Sequence, residues 1–317
     1  MISPNVDLVP HGGYTTAILY RLTTTHFARS HTSPYRSKPV LPISLQLTFV
    51  RPTHVGPATL TVQEVKLGAR TSTIQVTLSQ DAASKGPQTR VVGYITVSPV
   101  ETDQEGPVVK GTPIRHPNPP SGSQPDGGVD FAALAETGRD GRWTRFPTIP
   151  GMAVSQHTEL YGTLPPSTVQ ERIKSTVDQW ARFRPGGQVP ARWTNEALMC
   201  LLDLFPMALD RLGAMATSAW MSTNDPEDRQ SRAPGPFWFP TVSFNVDVKK
   251  SIPQEGLAWL HSRVVTQTLR AGRADISVEI LDQNGELIAT SSQVCMVVGF
   301  DRNLKNGKRV QPTQGKL

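Results

Sequence analysis

The sequence predicts an α+β protein made of two copies of one design, each a long helix followed by an antiparallel sheet. Three observations predict it. A helix-like run opens each half of the chain, at residues 11–31 and again in "ARWTNEALMCLLDLFPMALDRLGAM". A series of β-branched or alternating runs follows each helix, with Gly or Pro between several of them. Residues 49–70, "FVRPTHVGPATLTVQEVKLGAR", line up loosely with residues 248–273, "VKKSIPQEGLAWLHSRVVTQTLRAGR". Both read strand, basic-Pro turn, strand, then a Gly next to an Arg. A repeat of this size is too long for a solenoid unit and fits two domains of one kind.

The first helix starts on "HGGYTTAILYRL", where Ala17, Ile18, Tyr20 and Leu22 suit a helix. Its glycines permit close packing, and its first N–H groups point outward without intrahelical partners. Strands are expected at 41–52, 56–68, 71–80 and 89–100. Residues 101–142 are rich in Pro, Gly, Ser and Asp with few large apolar groups, and read as a linker or insertion. The second helix has Asn195 as its expected N-cap. A polar loop follows, then strands at 237–250, 256–270, 273–282 and 287–300, with Asn284-Gly285 as a hairpin turn. The expected organisation is thus residues 1–100, a linker over 101–145, residues 146–302, and a basic tail over 303–317.

Composition narrows the classes. The net charge of +6 comes from scattered Lys and Arg, clustered only in "RNLKNGKR", so a nucleic-acid partner is not expected. Two cysteines, Cys200 and Cys295, lie in apolar runs and read as packing residues in a reducing compartment. No zinc spacing exists, and no apolar run approaches the length of a membrane span. The N-terminus has neither the basic start nor the apolar stretch of a secretory signal. A cytoplasmic protein is expected. The terminal Gly315-Lys316-Leu317 differs by one residue from the Ser-Lys-Leu peroxisomal address and leaves that compartment open.

Asp203 stands out. It sits in the most apolar part of the second helix, three residues before Pro206. Proline lacks the N–H that would bond the Leu202 carbonyl four residues back, so a break or polar patch is expected there. Alone, this carboxylate could be structural or functional. Thr241 begins a strand, and Gln293 lies in a strand running into "VCMVVGF", where a buried amide needs a partner. His11 reads as a helix-start residue. Arg70 and Arg273, beside glycines at repeated positions, fit either turn-making or contact with phosphates.

Taken together, these residues resemble the type II acyl-CoA thioesterases (TesB-like), a double-hotdog family. The helix opening on "HGG", the Asp of "LLDLFPMAL", the Thr of "FPTVSFNV" and the Gln of "LIATSSQVCMV" carry the resemblance, over roughly residues 8–100 and 146–302. The resemblance implies a tandem hotdog, each unit a long helix wrapped by an antiparallel sheet. It also implies an active site of Asp203, Thr241 and Gln293, all from the second unit, and the sequence drift elsewhere is typical of fungal or secondary-metabolism relatives. Acyl-CoA or a similar acyl thioester is the expected substrate, with no cofactor or metal and with assembly into homodimers or higher oligomers.

Thioester hydrolysis needs an activated water and donors for the carbonyl oxygen. Asp203 is assigned as the base or water anchor, with Thr241 and Gln293 orienting the water. The N–H groups of Gly12, Gly13 and Tyr14 are expected donors to the thioester oxygen. Arg70 and Arg273 are the candidates for the phosphates of CoA. The alternative is a non-hydrolytic hotdog enzyme, an isomerase or cyclase acting on a polyketide or lipid-like intermediate in secondary metabolism. Hotdog hydratases are disfavoured, because no Asp here is followed five residues on by His.

Overall fold

The computed structural model describes residues 9–35, 38–82, 86–100, 128–147, 153–163, 176–205, 209 and 237–299. Helix α1 spans Gly12–Arg29. Thr16, Leu19, Tyr20, Thr23 and Phe27 recur at helical spacing and form its buried stripe. Threonine suits a helix poorly. Here the Thr16 and Thr23 hydroxyls donate to the Gly12 and Leu19 carbonyls, 2.9 and 2.8 Å away, which lets them be buried. Four strands follow: β1 (Val40–Phe49), β2 (Thr59–Lys66), β3 (Ser72–Ala82) and β4 (Gly86–Pro99). Pro42 lies inside β1 at a register irregularity before Ser44, where its missing N–H does least harm to the ladder.

The second set begins with β5 (Trp143–Arg145), β6 (Thr158–Thr163) and β7 (Thr176–Phe183), preceded by the short helix α2 (Phe131–Thr137). Then come α3 (Leu198–Leu202) and the strands β8 (Phe237–Trp238), β9 (Thr241–Val248), β10 (Trp259–Arg270), β11 (Arg273–Leu281), β12 (Leu287–Met296) and β13 (Val298–Gly299). The hairpin between β11 and β12 turns at Gly285 (φ 80°), with the Asp282 carboxylate accepting from the Asn284 and Glu286 N–H groups.

Eleven strands form one antiparallel sheet in the order β2-β3-β4-β1-β9-β12-β11-β10-β7-β6-β5. Within it β2-β3-β4-β1 and β10-β11-β12-β9 run in mirrored order and meet at β1 and β9, where Gln46 faces Asn245. This is the tandem hotdog arrangement, with the two sheets fused edge to edge. Matching places can be read from it. β1 ends at Phe49 and β9 at Val248, so Leu45 corresponds to Phe244. Their partners across the next strand are Ile95 and Gln293.

Helices α1 and α3 share the main core with this sheet. On the other face, α2 helps cover a cluster of Trp143, Tyr161, Trp180 and Trp259. The composition of residues 101–145 suggests a linker, a span that takes in α2 and β5. Both are ordered elements: Asp130 caps α2 by accepting from the Ala133 N–H, Gly138 ends it at φ 78°, and Leu134 is fully buried. The strands β6 and β7 were likewise not expected. Residues 101–127, the loop over 222–235 and the basic tail lie outside the described residues.

Candidate active site

The second helix is not the single long element expected. α3 covers only Leu198–Leu202, and Asp203 at its end has left helical geometry (φ −104°, ψ 7°). The cause is chemical. Pro206 has no N–H to offer the Leu202 carbonyl, and the Ser291 hydroxyl of β12 donates to it instead, at 3.1 Å. Residues 206–208 and 210–236, where the rest of the expected helix falls, lie outside the described residues. Nor is Asn195 the N-cap. Thr194 Oγ1 accepts from the Ala197 N–H, while the Asn195 amide bonds both the N–H and the carbonyl of Ile252.

Asp203 is held from both units. Its Oδ2 accepts from the Gly13 N–H at 2.7 Å, and its Oδ1 accepts from the Thr241 hydroxyl at 3.1 Å. His11 Nε2 lies 3.5 Å from Oδ2. The carboxyl is 2% exposed. Its pKa is raised, because burial penalises the charged form more than His11, the Gly13 N–H and Thr241 favour it.

The two glycines make this contact sterically feasible. A Cβ on Gly13 would stand 2.5 Å from the Met199 carbonyl oxygen and 2.8 Å from Cys200 Cα; one on Gly12 would stand 2.7 Å from Asp203 Oδ2. The start of α1 thus lies directly on α3, with its positive end toward the carboxylate.

Gln293 completes the neighbourhood. It is 3% exposed, and neither atom of its amide has a hydrogen-bond partner among the described residues. Along β12, Ser291, Gln293 and Cys295 alternate onto the buried face. Ser291 reaches the carbonyl next to Asp203, and Cys295 is the cross-strand partner of Thr241. Gln293 therefore sits between two residues tied to Asp203 or its neighbour. A buried amide without a partner among the described residues is one that a polar ligand or water would satisfy.

The remaining candidates divide. Gly13 directs its N–H to Asp203, so it is not available to a thioester oxygen. The Gly12 and Tyr14 N–H groups also precede the first intrahelical bond, from Thr15 N–H to the His11 carbonyl; the Tyr14 side chain is exposed. Arg70 lies in the β2–β3 turn of the first unit, and Arg273 starts β11 opposite Met296; both are exposed. Neither is brought to Asp203. The Cys200 and Cys295 thiols are each pushed up to about 12, chiefly by burial and further by the Asp203 charge, which leaves them poor nucleophiles. Among the described residues, no cluster of His, Cys, Asp and Glu could hold a metal, and no helix is long and apolar enough to cross a membrane.

Two residues escaped the sequence reading. His11 had looked like a plain helix start, yet its ring faces the carboxylate. Its position directly before the Gly pair was the available signal. Ser291 lay two residues from Gln293, on the same face by strand alternation.

Similarity to known proteins agrees with this architecture. Residues 3–98 match the profile of the acyl-CoA thioesterase N-terminal domain, and residues 129–297 match that of the acyl-CoA thioesterase C-terminal domain. The thioesterase-like protein TwmA of Talaromyces wortmannii is 26% identical, over 98% of this chain and 90% of its own length. Among solved structures, a thioesterase II from Thermobifida fusca superposes with a TM-score of 0.59 at 18% identity, covering 93% of this chain and 95% of that one. A hot dog fold protein from Alicyclobacillus acidocaldarius superposes with a TM-score of 0.55 at 18% identity, covering 92% and 88%. With both profiles matched in order, and the second alone spanning more than half of its residues, the chain belongs to the acyl-CoA thioesterase family.

Proposed function

We propose that this thioesterase-like enzyme hydrolyses an acyl-CoA, or a similar acyl thioester, to a free acid and a thiol. The observation that carries the reading is the buried Asp203 carboxylate, held by Gly13 and Thr241, with the Gln293 amide, which has no partner among the described residues, on the strand next to that of Thr241. A carboxylate oxygen has room for more than one donor, so Asp203 Oδ1 can hold a water as well as the Thr241 hydroxyl. Thr241 and Gln293 offer the further lone pairs and protons that fix the water's orientation. Gln293 can also accept or donate, as the reacting groups require.

In the reaction, the water oxygen attacks the thioester carbon while its proton passes to Asp203. The resulting oxyanion is met by N–H donors, for which Tyr14 at the start of α1 and the Gln293 amide are the candidates. The C–S bond then breaks, and the departing thiolate takes the proton from Asp203. Acid and thiol leave, and the carboxylate is regenerated. His11 lies against the far oxygen of Asp203, where it helps to fix the carboxylate's position.

The test is thiol release from a panel of acyl-CoAs of varied chain length, with the wild type and Asp203→Asn. The wild type should cleave at least one member, and loss of the base should lower its rate by about 10²–10⁴-fold. If no thioester is cleaved, or the variant matches the wild type, the assignment is wrong. Product analysis that finds a rearranged, unhydrolysed acyl group would favour an isomerase or cyclase instead.

A further inference from the structure

The second unit buries polar groups that the hydrolytic centre does not use. Gln179 on β7 and Ser262 on β10 are direct cross-strand partners, and both are fully buried. Among the described residues, neither atom of the Gln179 amide and not the Ser262 hydroxyl has a hydrogen-bond partner. Their direction follows from strand alternation. Val177 and Ala181 on β7, and Leu260 and Val264 on β10, belong to the main core, so Gln179 and Ser262 face it too. Cross-strand partners stand about 5 Å apart at Cβ, so the amide and the hydroxyl can act on one ligand atom.

A third group marks the way from there to Asp203. Thr266 on β10 is buried on the same face, and its hydroxyl also lacks a partner among the described residues. Thr266 pairs with Ile276, and Ile276 pairs with Gln293. Gln293 and Thr266 are therefore two strands apart in one row, about 10 Å. Ser262 lies four residues further along β10, about 13 Å by strand rise. The wall between is apolar: Ile276, Val278 and Val264. A hydrocarbon chain could lie along this face from the reacting carbon, with polar groups waiting at its far end.

We propose that Gln179 and Ser262 form a subsite for an oxygen function, a hydroxyl or keto group, carried on the acyl chain well away from the thioester. The amide donates and accepts, and the hydroxyl does both, so the pair suits either kind of oxygen. A plain fatty acyl chain would leave both groups buried and unpaired, whereas an oxygenated chain satisfies them. This proposal rests on the thioesterase reading for its substrate class.

The test compares acyl-CoAs of equal length, with and without one hydroxyl or keto oxygen moved stepwise along the distal half of the chain. The wild type should favour one oxygenated member over its plain counterpart by at least about tenfold in kcat/KM, since a site built for an oxygen rejects a chain lacking it. Gln179→Met and Ser262→Ala should abolish that preference while leaving cleavage of the plain chain intact. Their Tm should be equal to or above that of the wild type. Cleavage without any preference in the wild type overturns the subsite and leaves hydrolysis standing. A raised Tm with the preference unchanged also overturns it, because the pair is then only a buried polar contact. Calorimetry with non-cleavable thioether analogues of the same pairs separates the two readings. Tighter binding of the oxygenated analogue, without turnover of any thioester, supports the subsite and sinks hydrolysis; equal binding sinks the subsite.

Discussion

Asp203 is placed where ionisation is disfavoured, yet its proposed role needs the ionised form. The conflict has measurable consequences. Because burial raises its folded pKa, folding favours the protonated carboxyl. The resulting penalty is absent below the ordinary carboxylate range, grows as pH rises toward the folded pKa, and is complete above it. Asp203→Asn should therefore be more stable than the wild type at neutral pH, with a Tm advantage that shrinks on acidification; thermal melts across pH will show it. Activity should follow the opposite slope, with kcat/KM rising with pH along a limb whose midpoint lies above the usual carboxylate range. Thr241→Val removes a hydrogen bond that favours the charged form, so its limb should shift to higher pH in the same assay. The sequence made Asp203 conspicuous through its apolar setting and Pro206. It could not show the partner at Gly13, because 190 residues separate the two.

The start of α1 and the end of α3 work as a pair of elements, and their contact depends on absent side chains. Gly13→Ala would push a Cβ against the Met199 carbonyl and Cys200 Cα. We expect a loss of about 1–3 kcal/mol in chemical denaturation, together with slower thiol release, since the Gly13 N–H also moves away from Asp203. The long strands of each unit were legible because one face is buried and the other wet, as β3 shows by strict alternation of buried and half-buried residues. β6 was not, because five of its six residues are buried and no polar-apolar alternation survives. β5 is three residues long, too short to carry a period. α2 was hidden inside a stretch whose overall composition suggested a linker, although its Asp130 cap and Gly138 stop are ordinary helix signals.

At the scale of the molecule, the sheet runs unbroken through β1 and β9, with buried Leu45, Leu47, Phe244 and Val246 at the seam. The two units should therefore unfold together. All six tryptophans lie at or beyond residue 143, so their fluorescence reports the second unit alone, whereas far-UV circular dichroism reports both. Coincident denaturation curves are expected from the two probes; a gap between them would mean the units melt separately. The repeat behind this arrangement was readable from residues 49–70 and 248–273, because both contain the same turn between corresponding strands. What the repeat could not convey was that its copies have diverged at one decisive place: Ile95 stands where Gln293 stands, and α1 contains no acidic residue. The stoichiometry follows. The chain looks twofold but should titrate as onefold, binding a single equivalent of an active-site-directed thioether analogue per polypeptide rather than two.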